Sequence, residues 1–308
     1  MNTFRRTLDE LSPETINRLN ADSFFSSVDF ARLWETQGGR ATYFVTEEDG
    51  RPMTVLPGVE FGHGPLKRFQ SMPDGCYARL VDMGCPADRV QEAVGSTLTA
   101  IRKAGYLRGY LYDYYAQLDQ SWTDATEDCS SILVDISDEE WQPPDKKLQS
   151  EIRKARREAI EVQRFDPSNH LAGFLSLVRM TAARHGQKPR YSDAFFENLG
   201  KISTEDERII WLYTERDKKP AASHINFVLG DTLLNWQVFF DKKFSFLKPN
   251  QFMLHTAATS VVSQGVRRLN LGASPEHADT LLTYKQKWGG REYCYQELRF
   301  ESMLGRVL

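Results

Sequence analysis

The amino-acid sequence predicts a mixed α/β protein made of two related halves, and three observations support this prediction. Strand-like runs alternate with helical runs along the 308 residues, which is typical of a mixed α/β (α+β) sheet covered by helices. One turn motif occurs twice, and a helix-to-strand transition also occurs twice at nearly the same spacing. An acidic segment with two prolines divides the chain near its middle. We therefore expect an internally duplicated fold, with domains over residues 1–142 and 143–308.

Composition limits the class of protein. The chain is 41% hydrophobic and 26% charged, which is typical of a folded globular protein. Its net charge of −3 gives no overall positive field for nucleic acid or an anionic membrane. We expect no membrane insertion, because no apolar run approaches the roughly 20 residues that span a bilayer. The N-terminus lacks an apolar signal segment, and the four cysteines lack disulfide or metal-site spacing. We therefore expect a cytoplasmic protein without a metal.

The first repeat is a turn motif between strand-like runs. Thr46–Pro52 and Thr214–Pro220 share the pattern T-E-x-D-x-x-P. Asp, Gly and Lys favour a turn, and the proline falls where the returning strand starts and its missing N–H costs least. The sequence therefore predicts an equivalent β-hairpin in each half.

The second repeat is a helix that ends at a glycine and is followed by a strand. Ala93–Ala104 precedes Gly105, and Asn250–Gln264 precedes Gly265. Glycine readily adopts the left-handed backbone conformation that ends a helix. Two repeats in the same order favour duplication over chance. Each half is predicted to run helix, hairpin, strand, helix, strand.

A basic helix is predicted directly after the acidic segment Ser137–Asp145. Lys146–Ile160 has apolar residues at helical spacing, which indicates one buried face. Arg153 and Arg157 lie on a stripe away from that face, with Lys154 beside it. Such a stripe is usually a solvated surface, but few acids interrupt this one. A ligand that carries phosphate is therefore an equally good interpretation.

The second half also carries several motifs in a fixed order. This order resembles the Fem-type (FemAB-like) aminoacyltransferases and the related GNAT-like acetyltransferases of bacteria. The resemblance is clear from Lys146 to Tyr295 and concerns only topology in the first half. Its most specific part is the final motif, aromatic-Lys-x-x-aromatic-Gly. The motifs are Lys147–Arg157, Thr181–Gly186, Tyr191–Leu199, Lys248–Asn250, Leu269–Gly272 and Tyr284–Gly289.

The resemblance implies two tandem GNAT-like domains and an acyltransferase activity. The donor would be acyl-CoA or aminoacyl-tRNA, with no tightly bound cofactor. The acceptor would be an amino group of a small molecule, a peptide or a cell-envelope precursor. CoA-dependent acetyltransferases carry a glycine-rich loop that holds pyrophosphate, whereas Asp241–Asn250 contains no glycine. This difference argues against CoA and for the Fem-type branch, so tRNA is a possible partner.

Two residues are candidates for catalysis. Lys285 matches the lysine of the final motif, and the resemblance implies that its ammonium stabilises the oxyanion or a donor phosphate. Without the motif, Lys285 would be interpreted as a solvated surface lysine. His224 lies in a predicted strand, where a neutral imidazole could accept the proton of the amine; a strand histidine is more often structural. Tyr284, next to Lys285, is expected mainly to be a packing anchor.

A larger set of residues is predicted to bind substrate or carrier. Arg184 can bind carboxylate or phosphate as a planar fork, whereas His185 beside it can instead cap a helix end. Trp236 and Gln237 lie in mid-strand, where an amide beside an aromatic ring could line a cleft. Asn250 is expected to be the N-cap of the following helix. The full set is Arg153, Lys154, Arg157, Arg184, His185, Tyr191, Trp236, Gln237, Lys248, Asn250 and Tyr284.

Missing motifs narrow the possible functions. The sequence contains no GxGxxG, GxxxxGK[ST], HExxH or GxSxG pattern, so dinucleotide, P-loop, zinc-protease and common serine-hydrolase chemistry lack their signatures. The alternative to an acyltransferase is a non-catalytic ligand-binding protein that retains the GNAT-like fold. The complete motif Tyr284–Gly289 favours the enzyme, and the lack of an obvious general base favours the alternative.

Overall fold

A computed structural model describes residues 1–77, 79–118, 125–158, 160–274, 279–302 and 305. The chain forms two compact units. The first unit contains Met1–Cys129 and Cys294–Leu308, and the second contains Ser130–Tyr293. The last strand of the chain thus belongs mainly to the first unit. The domain boundary that we predict between residues 142 and 143 stays a prediction.

The first unit contains six complete strands and three α-helices within its described part. They are β1 (Asn2–Arg6), α1 (Pro13–Asp22), α2 (Val28–Leu33), β2 (Gly39–Glu48), β3 (Arg51–Phe61), β4 (Arg68–Ser71), β5 (Val81–Asp82), α3 (Val90–Lys103) and β6 (Arg108–Asp113). Strand β7 (Ala125–Asp135) begins in this unit and ends in the second.

The second unit contains five helices and five complete strands within its described part. They are α4 (Lys146–Arg157), β8 (Val162–Arg164), α5 (Pro167–Arg184), α6 (Asp193–Ile202), β9 (Ile209–Arg216), β10 (Lys219–Leu229), β11 (Thr232–Phe240), α7 (Pro249–Ser260), β12 (Arg268–Asn270) and α8 (Asp279–Gln286). The final strand, β13 (Arg291–Glu301), leads the chain back to the first unit.

Strand pairing confirms that the fold is mixed α/β and internally duplicated. The first unit orders its strands β1-β2-β3-β4-β6-β13, with β5 beside β3, and the second orders them β7-β12-β11-β10-β9-β8. Each unit has an antiparallel hairpin, then a strand, a helix and a strand that returns parallel. The parallel pairs are β4 with β6 and β11 with β12. The same order of elements in both units is what a duplication predicts.

Both predicted hairpins are present, and their turns have the same backbone conformation. The β2–β3 turn consists of Asp49 and Gly50, with φ of 50° and 75°. The β9–β10 turn consists of Asp217 and Lys218, with φ of 52° and 60°. Two successive positive φ values match the right-handed twist of the flanking strands. The repeated motif was therefore a correct signal for the hairpins.

Helix ends agree with the sequence prediction in part. Gly105 and Gly265 both have left-handed backbones, with φ of 71° and 91°, as predicted. Helix α4 begins at Lys146, because the Asp145 carboxylate accepts a hydrogen bond from Leu148 N at 2.7 Å, but it ends at Arg157. The predicted N-cap role of Asn250 is wrong. Helix α7 begins one residue earlier, at a proline whose fixed φ suits the first turn.

The sheet of the second unit buries a different type of side chain on each face. Leu212 and Ala222 pack with α4 and α7 residues such as Ile152 and Leu254 in one aliphatic core. The neighbouring residues Trp211 and Tyr213 point the other way because side chains alternate along a strand. That second face is aromatic, and the rings of Phe165, Phe174 and Trp211 contact one another there. The two faces give β10 and β11 two different surroundings.

Membrane-spanning helices and clusters of metal ligands are both absent from the described residues. None of the helices in these ranges is long and apolar enough to cross a bilayer. No three His, Cys, Asp or Glu side chains in the same ranges lie close enough together to hold a metal ion.

Candidate functional site

The candidate site begins where β11 loses its parallel neighbour. Strands β11 and β12 pair at only three positions, the last of which joins Leu234 and Asn270. Strand β11 continues to Phe240. It also carries a β-bulge, because Asn226 pairs with Asn235 while Ile225 pairs with Gln237. Bulges redirect side chains and are frequent beside active sites. From Asn235 onward, the strand therefore has an edge without its β12 partner.

Lys285 lies next to this edge and is buried. Its side chain is only 5% exposed, which rules out the interpretation as a solvated surface lysine. Its Nζ donates hydrogen bonds to the backbone oxygens of Gly272 at 2.9 Å and Ala273 at 2.7 Å. A Cβ atom on Gly272 would lie 3.9 Å from the backbone oxygen of Asn235. Lys285 thus holds the segment after β12 close to the start of the free edge.

Burial changes the protonation of Lys285. Desolvation lowers the pKa of this amine to about 8, because a charged group is less stable away from water. The ammonium form has three N–H groups, and two of them bind the two backbone oxygens. The third can donate to a developing oxyanion. In the neutral form the same position is a lone pair that can accept a proton.

His224 lies on β10 with its ring directed toward α7. It is 1% exposed, and its Nε2 lies 3.2 Å from Oδ1 of Asn250. Its Nδ1 has no hydrogen-bond partner among the residues that the structure describes. Desolvation lowers the pKa of His224 to about 4, with a smaller opposing effect of the bond to Asn250. The imidazole is therefore neutral near pH 7, and it is a weak base.

Two amides continue from His224 toward the free edge, and we call His224, Asn226 and Asn235 the polar row. Asn226, two residues along β10 from His224, is fully buried and donates from Nδ2 to the backbone oxygen of Ile210 at 2.8 Å. Asn235 donates from Nδ2 to Oδ1 of Asn226 at 2.7 Å. We did not predict Asn226 as a site residue. The sequence contains a signal for it, because His224 and Asn226 are two residues apart in a largely apolar strand, which places both side chains on one face of the sheet.

Helix α4 forms a basic surface. Arg153 and Arg157 are exposed and Lys154 is half-buried, and none of them forms an ion pair with a described residue. Lys248 differs, because its Nζ lies 2.9 Å from Oε1 of Glu151. This ion pair joins the start of α7 to α4. The structure therefore places these cations away from the buried face of α4, as predicted. The ligand that carries phosphate stays a prediction.

A small cavity lies on the aromatic face and brings together three predicted residues, His185, Tyr191 and Gln237. Its volume is about 160 Å³, similar to a cavity that can hold one benzene-sized group. Polar groups also reach it. The hydroxyl of Thr181 is buried without a hydrogen-bond partner in the described part of the chain, and exposed Lys188 lines the opening.

The remaining predicted residues have structural contacts. Arg184 donates to the backbone oxygen of Phe240 at 3.2 Å and lies 4.3 Å from its ring centroid. His185 is the C-cap of α5, which agrees with the capping interpretation. Trp236 packs against Tyr191, with ring centroids 5.3 Å apart. Tyr284 contacts the Trp288 ring edge-on, as expected for a packing anchor.

Comparison with known proteins identifies the family of one region and the fold of the whole. Residues 146–286 match the family described as Acetyltransferase (GNAT) domain. The structure of FemX superimposes with a TM-score of 0.71 at 11% identity, covering 96% of this chain and 97% of that chain. A tandem GNAT protein from the clavulanic acid biosynthesis pathway gives 0.55 at 10% identity, covering 97% and 98%.

Two further likenesses concern a synthetase domain of similar fold and a short segment of two transcriptional activators. The C-terminal domain of a putative lysylphosphatidylglycerol synthetase from Agrobacterium fabrum gives a TM-score of 0.61 at 12% identity, covering 96% of this chain and 94% of that domain. Formate hydrogenlyase transcriptional activators of two Salmonella typhimurium strains are 38% identical over 48 residues, which is 16% of this chain and only 7% of their length. The structural identities are low enough to show fold alone. Residues 146–286 thus match the GNAT acetyltransferase domain family, and the whole chain has the fold of tandem GNAT proteins.

Proposed function

We propose that the protein is an N-acyltransferase that moves an acyl or aminoacyl group from acyl-CoA or aminoacyl-tRNA to an amino group. The GNAT domain supports acyl transfer in general. The observation that carries the proposal is Lys285, a buried amine that binds two backbone oxygens and has one N–H that no described residue accepts, beside the free edge of β11. Both donors are found in the cytoplasm, which is the compartment that we propose.

The reaction forms one bond and breaks another. The amine nitrogen attacks the carbonyl carbon of the donor, a C–N bond forms, and the bond from carbon to the carrier sulfur or oxygen breaks. The amine loses a proton, and the leaving thiolate or alkoxide gains one. The third N–H of Lys285 would donate to the oxyanion of the tetrahedral intermediate. Such a donor contributes most in a site that excludes water.

The carrier would bind on the side of α4 and α7. The unpaired cations of α4, Arg153, Lys154 and Arg157, offer charge to phosphate groups of either carrier. Lys248 is already neutralised by Glu151, so in this proposal it shapes the start of α7 and contributes less charge. Asn250 lies in the first turn of that helix.

The acceptor would bind on the aromatic face. The cavity that contains His185, Tyr191 and Gln237 has apolar walls and a few polar groups, which is the usual character of a small-molecule site. Trp236, on the bulge, packs against Tyr191 of this cavity. Arg184 stabilises the end of β11 through Phe240. An amine with a small apolar group and a cell-envelope precursor both suit this arrangement.

His224 has a different role in this proposal from the one expected from sequence. A base with a pKa of about 4 accepts a proton from an alkylammonium only against a large difference in pKa. We therefore propose that His224 positions Asn250. Lys285, with a pKa of about 8, is mainly an ammonium near pH 7 and serves the oxyanion. The proton of the amine therefore passes to solvent or to the leaving group.

The test is a transfer assay with matched donors. Purified protein is incubated with acetyl-CoA, longer acyl-CoA esters or aminoacylated tRNA, together with a mixture of small amines, amino acids and peptides, and products are identified by mass spectrometry. We expect an amide product with one class of donor. The Lys285→Met variant serves as the control for enzyme-dependent transfer. Ligand binding without any product would favour the non-catalytic alternative and contradict the proposal.

A further inference from the structure

The two buried asparagines have a fixed direction of hydrogen bonding. The backbone oxygen of Ile210 can only accept, so the Asn226 atom that lies 2.8 Å from it must be the amide nitrogen. The other end of this amide, Oδ1, is then an acceptor, and the Asn235 atom 2.7 Å away must be its Nδ2. The amide orientation of Asn235 thus follows from an unambiguous backbone acceptor.

This chain of bonds leaves an acceptor at the free edge. The Oδ1 atom of Asn235 has no hydrogen-bond partner in the described part of the chain. Asn235 is half-buried and is the first residue of β11 beyond its pairing with β12. The segment held by Lys285 passes close to it at Gly272. An oriented amide oxygen therefore lies on a residue whose backbone approaches the segment that Lys285 binds.

The face of the sheet determines which substrate can reach this oxygen. Asn226 lies opposite Ile210, which belongs to the aliphatic core under α7, and Asn235 lies opposite Asn226. Asn235 is therefore on the side of the basic surface and away from the aromatic cavity. The other unpartnered acceptor, Nδ1 of His224, lies on the same face. Both atoms are acceptors without a partner among the described residues, and such acceptors favour a ligand group with N–H.

We propose that Asn235 binds an N–H group of the activated donor through its side-chain oxygen and so positions the donor carbonyl near Lys285. Asn226 acts as the positioning residue that fixes the direction of this amide. The inference rests on the function proposed above. Two donors present N–H close to the reacting carbonyl: an aminoacyl ester has its α-ammonium, and an acyl-CoA has the nearest amide N–H of its pantetheine arm. No bond to Asn235 forms or breaks in the reaction.

The experiment pairs a protein change with a change in the donor. Asn235→Leu removes the acceptor, and Asn17→Leu, an exposed position on α1, is the control. Each protein is assayed with an aminoacyl ester of adenosine and with its analogue in which hydrogen replaces the α-amino group. A second pair is acetyl-CoA and an S-acetyl thiol that lacks the pantetheine amide. The readout is the ratio of kcat/KM within each pair.

We expect the wild type to prefer the N–H-bearing member of one pair by about tenfold for an amide and more for an ammonium, in line with the strength of hydrogen bonds to neutral and charged groups. Asn235→Leu should reduce that ratio to near one, and Asn226→Leu should reduce it partly. The pair that responds identifies the donor. A ratio that stays unchanged in Asn235→Leu overturns the inference even where transfer continues. Absence of transfer with every donor instead contradicts the proposed function.

Discussion

The two units use the same backbone plan, but they differ where their parallel strands stop pairing. In the first unit β4 and β6 pair up to Ser71 and Leu111. Just beyond β6, Tyr114 stacks on Tyr77 with ring centroids 4.0 Å apart, and Tyr295 packs edge-on against both rings. In the second unit the corresponding place holds the polar row from His224 to Asn235. One unit closes this region with aromatic rings, and the other leaves oriented polar atoms there.

The same contrast applies to buried charge and hydrogen bonding. Asp113, at the end of β6, accepts backbone hydrogen bonds from Gln117 at 2.8 Å and Leu118 at 3.0 Å. Buried side-chain atoms without a partner among the described residues occur in both units, for example Tyr43 Oη in the first and His224 Nδ1 in the second. The buried charged groups differ in kind, because among the described residues the first unit buries the carboxylates Glu60, Asp113 and Glu297, and the second buries the amine of Lys285. In the proposed function, this amine is the group that gives the second unit its chemistry.

Removal of the buried amine should have the largest effect on this contrast. We expect Lys285→Met to lower kcat by about 10²- to 10³-fold, the usual result when one donor to an oxyanion is lost. Methionine has similar length and no N–H, so the packing changes little. Steady-state transfer kinetics with the donor identified above measure the effect.

The matched control is Lys103→Met, an exposed lysine on α3 of the first unit. It should leave kcat unchanged. Thermal unfolding of both variants separates loss of chemistry from loss of fold. Full turnover by a folded Lys285→Met protein would show that Lys285 takes no part in the mechanism. The buried amine would then no longer distinguish the second unit from the first.

The fold could be predicted because its signals are local. A turn with two positive φ values needs particular residues, so the repeated motifs around Asp49 and Asp217 predicted both hairpins. Glycine after a helix and regular apolar spacing are local in the same way. The return of β13 to the first unit depends on long-range pairing, and nothing near Arg291–Glu301 in the sequence signals which strands it will join.

The site was less predictable because it depends on contacts between distant residues. The motif gave Lys285, but only the contacts with Gly272 and Ala273 show that it is buried. The spacing of His224 and Asn226 indicates a polar pair on one face of the strand, but it does not indicate which residue Asn226 bonds. Its role depends on the partner across the bulge, and a bulge has no reliable sequence signal when glycine is absent.

Acid should destabilise the protein through the polar row of the second unit. The pKa of His224 is about 4 in the folded protein and near 6.5 when exposed, so the unfolded state binds more protons between these values. The stabilisation is complete above pH 6.5 and is lost as the pH falls toward 4. Between pH 7 and 5 we expect a decrease of about 2 kcal/mol in the free energy of unfolding. Urea unfolding at the two pH values measures it.

The variants for this test come from both units. His224→Gln should show a smaller decrease between pH 7 and 5, although burial also lowers the pKa of His255 and leaves a residual effect. His63→Gln, at an exposed position of the first unit, should behave as the wild type. The first unit has the opposite tendency, because burial raises the pKa of Asp113 and acid then favours the folded form. Equal pH dependence in all three proteins would show that His224 titrates as an exposed histidine.

The smallest effect concerns the cations of α4. In the first unit, Arg89 at the start of α3 is neutralised by Glu48 at 2.8 Å and Glu92 at 2.7 Å. Arg153 and Arg157 have no such partners among the residues that the structure describes. We therefore expect Arg153→Glu/Arg157→Glu to weaken carrier binding by roughly tenfold at low salt. The slope of log affinity against log salt should also become shallower, because fewer counterions are released from the phosphates. Fluorescence anisotropy with labelled tRNA and competition with CoA measure both quantities.

The control for charge alone is Arg51→Glu/Lys103→Glu, which makes the same change in net charge at two exposed positions of the first unit. Long-range effects of surface charge are largely screened at about 0.1 M salt, so this variant should bind the carrier almost as the wild type does. If both double variants lose affinity equally, the effect belongs to net charge, and α4 is an ordinary solvated helix. If only the α4 variant loses affinity, its unpaired cations are a binding surface. Arg89 of the first unit, which Glu48 and Glu92 neutralise, would then be a second position at which the first unit has the same fold but no free cation for the ligand.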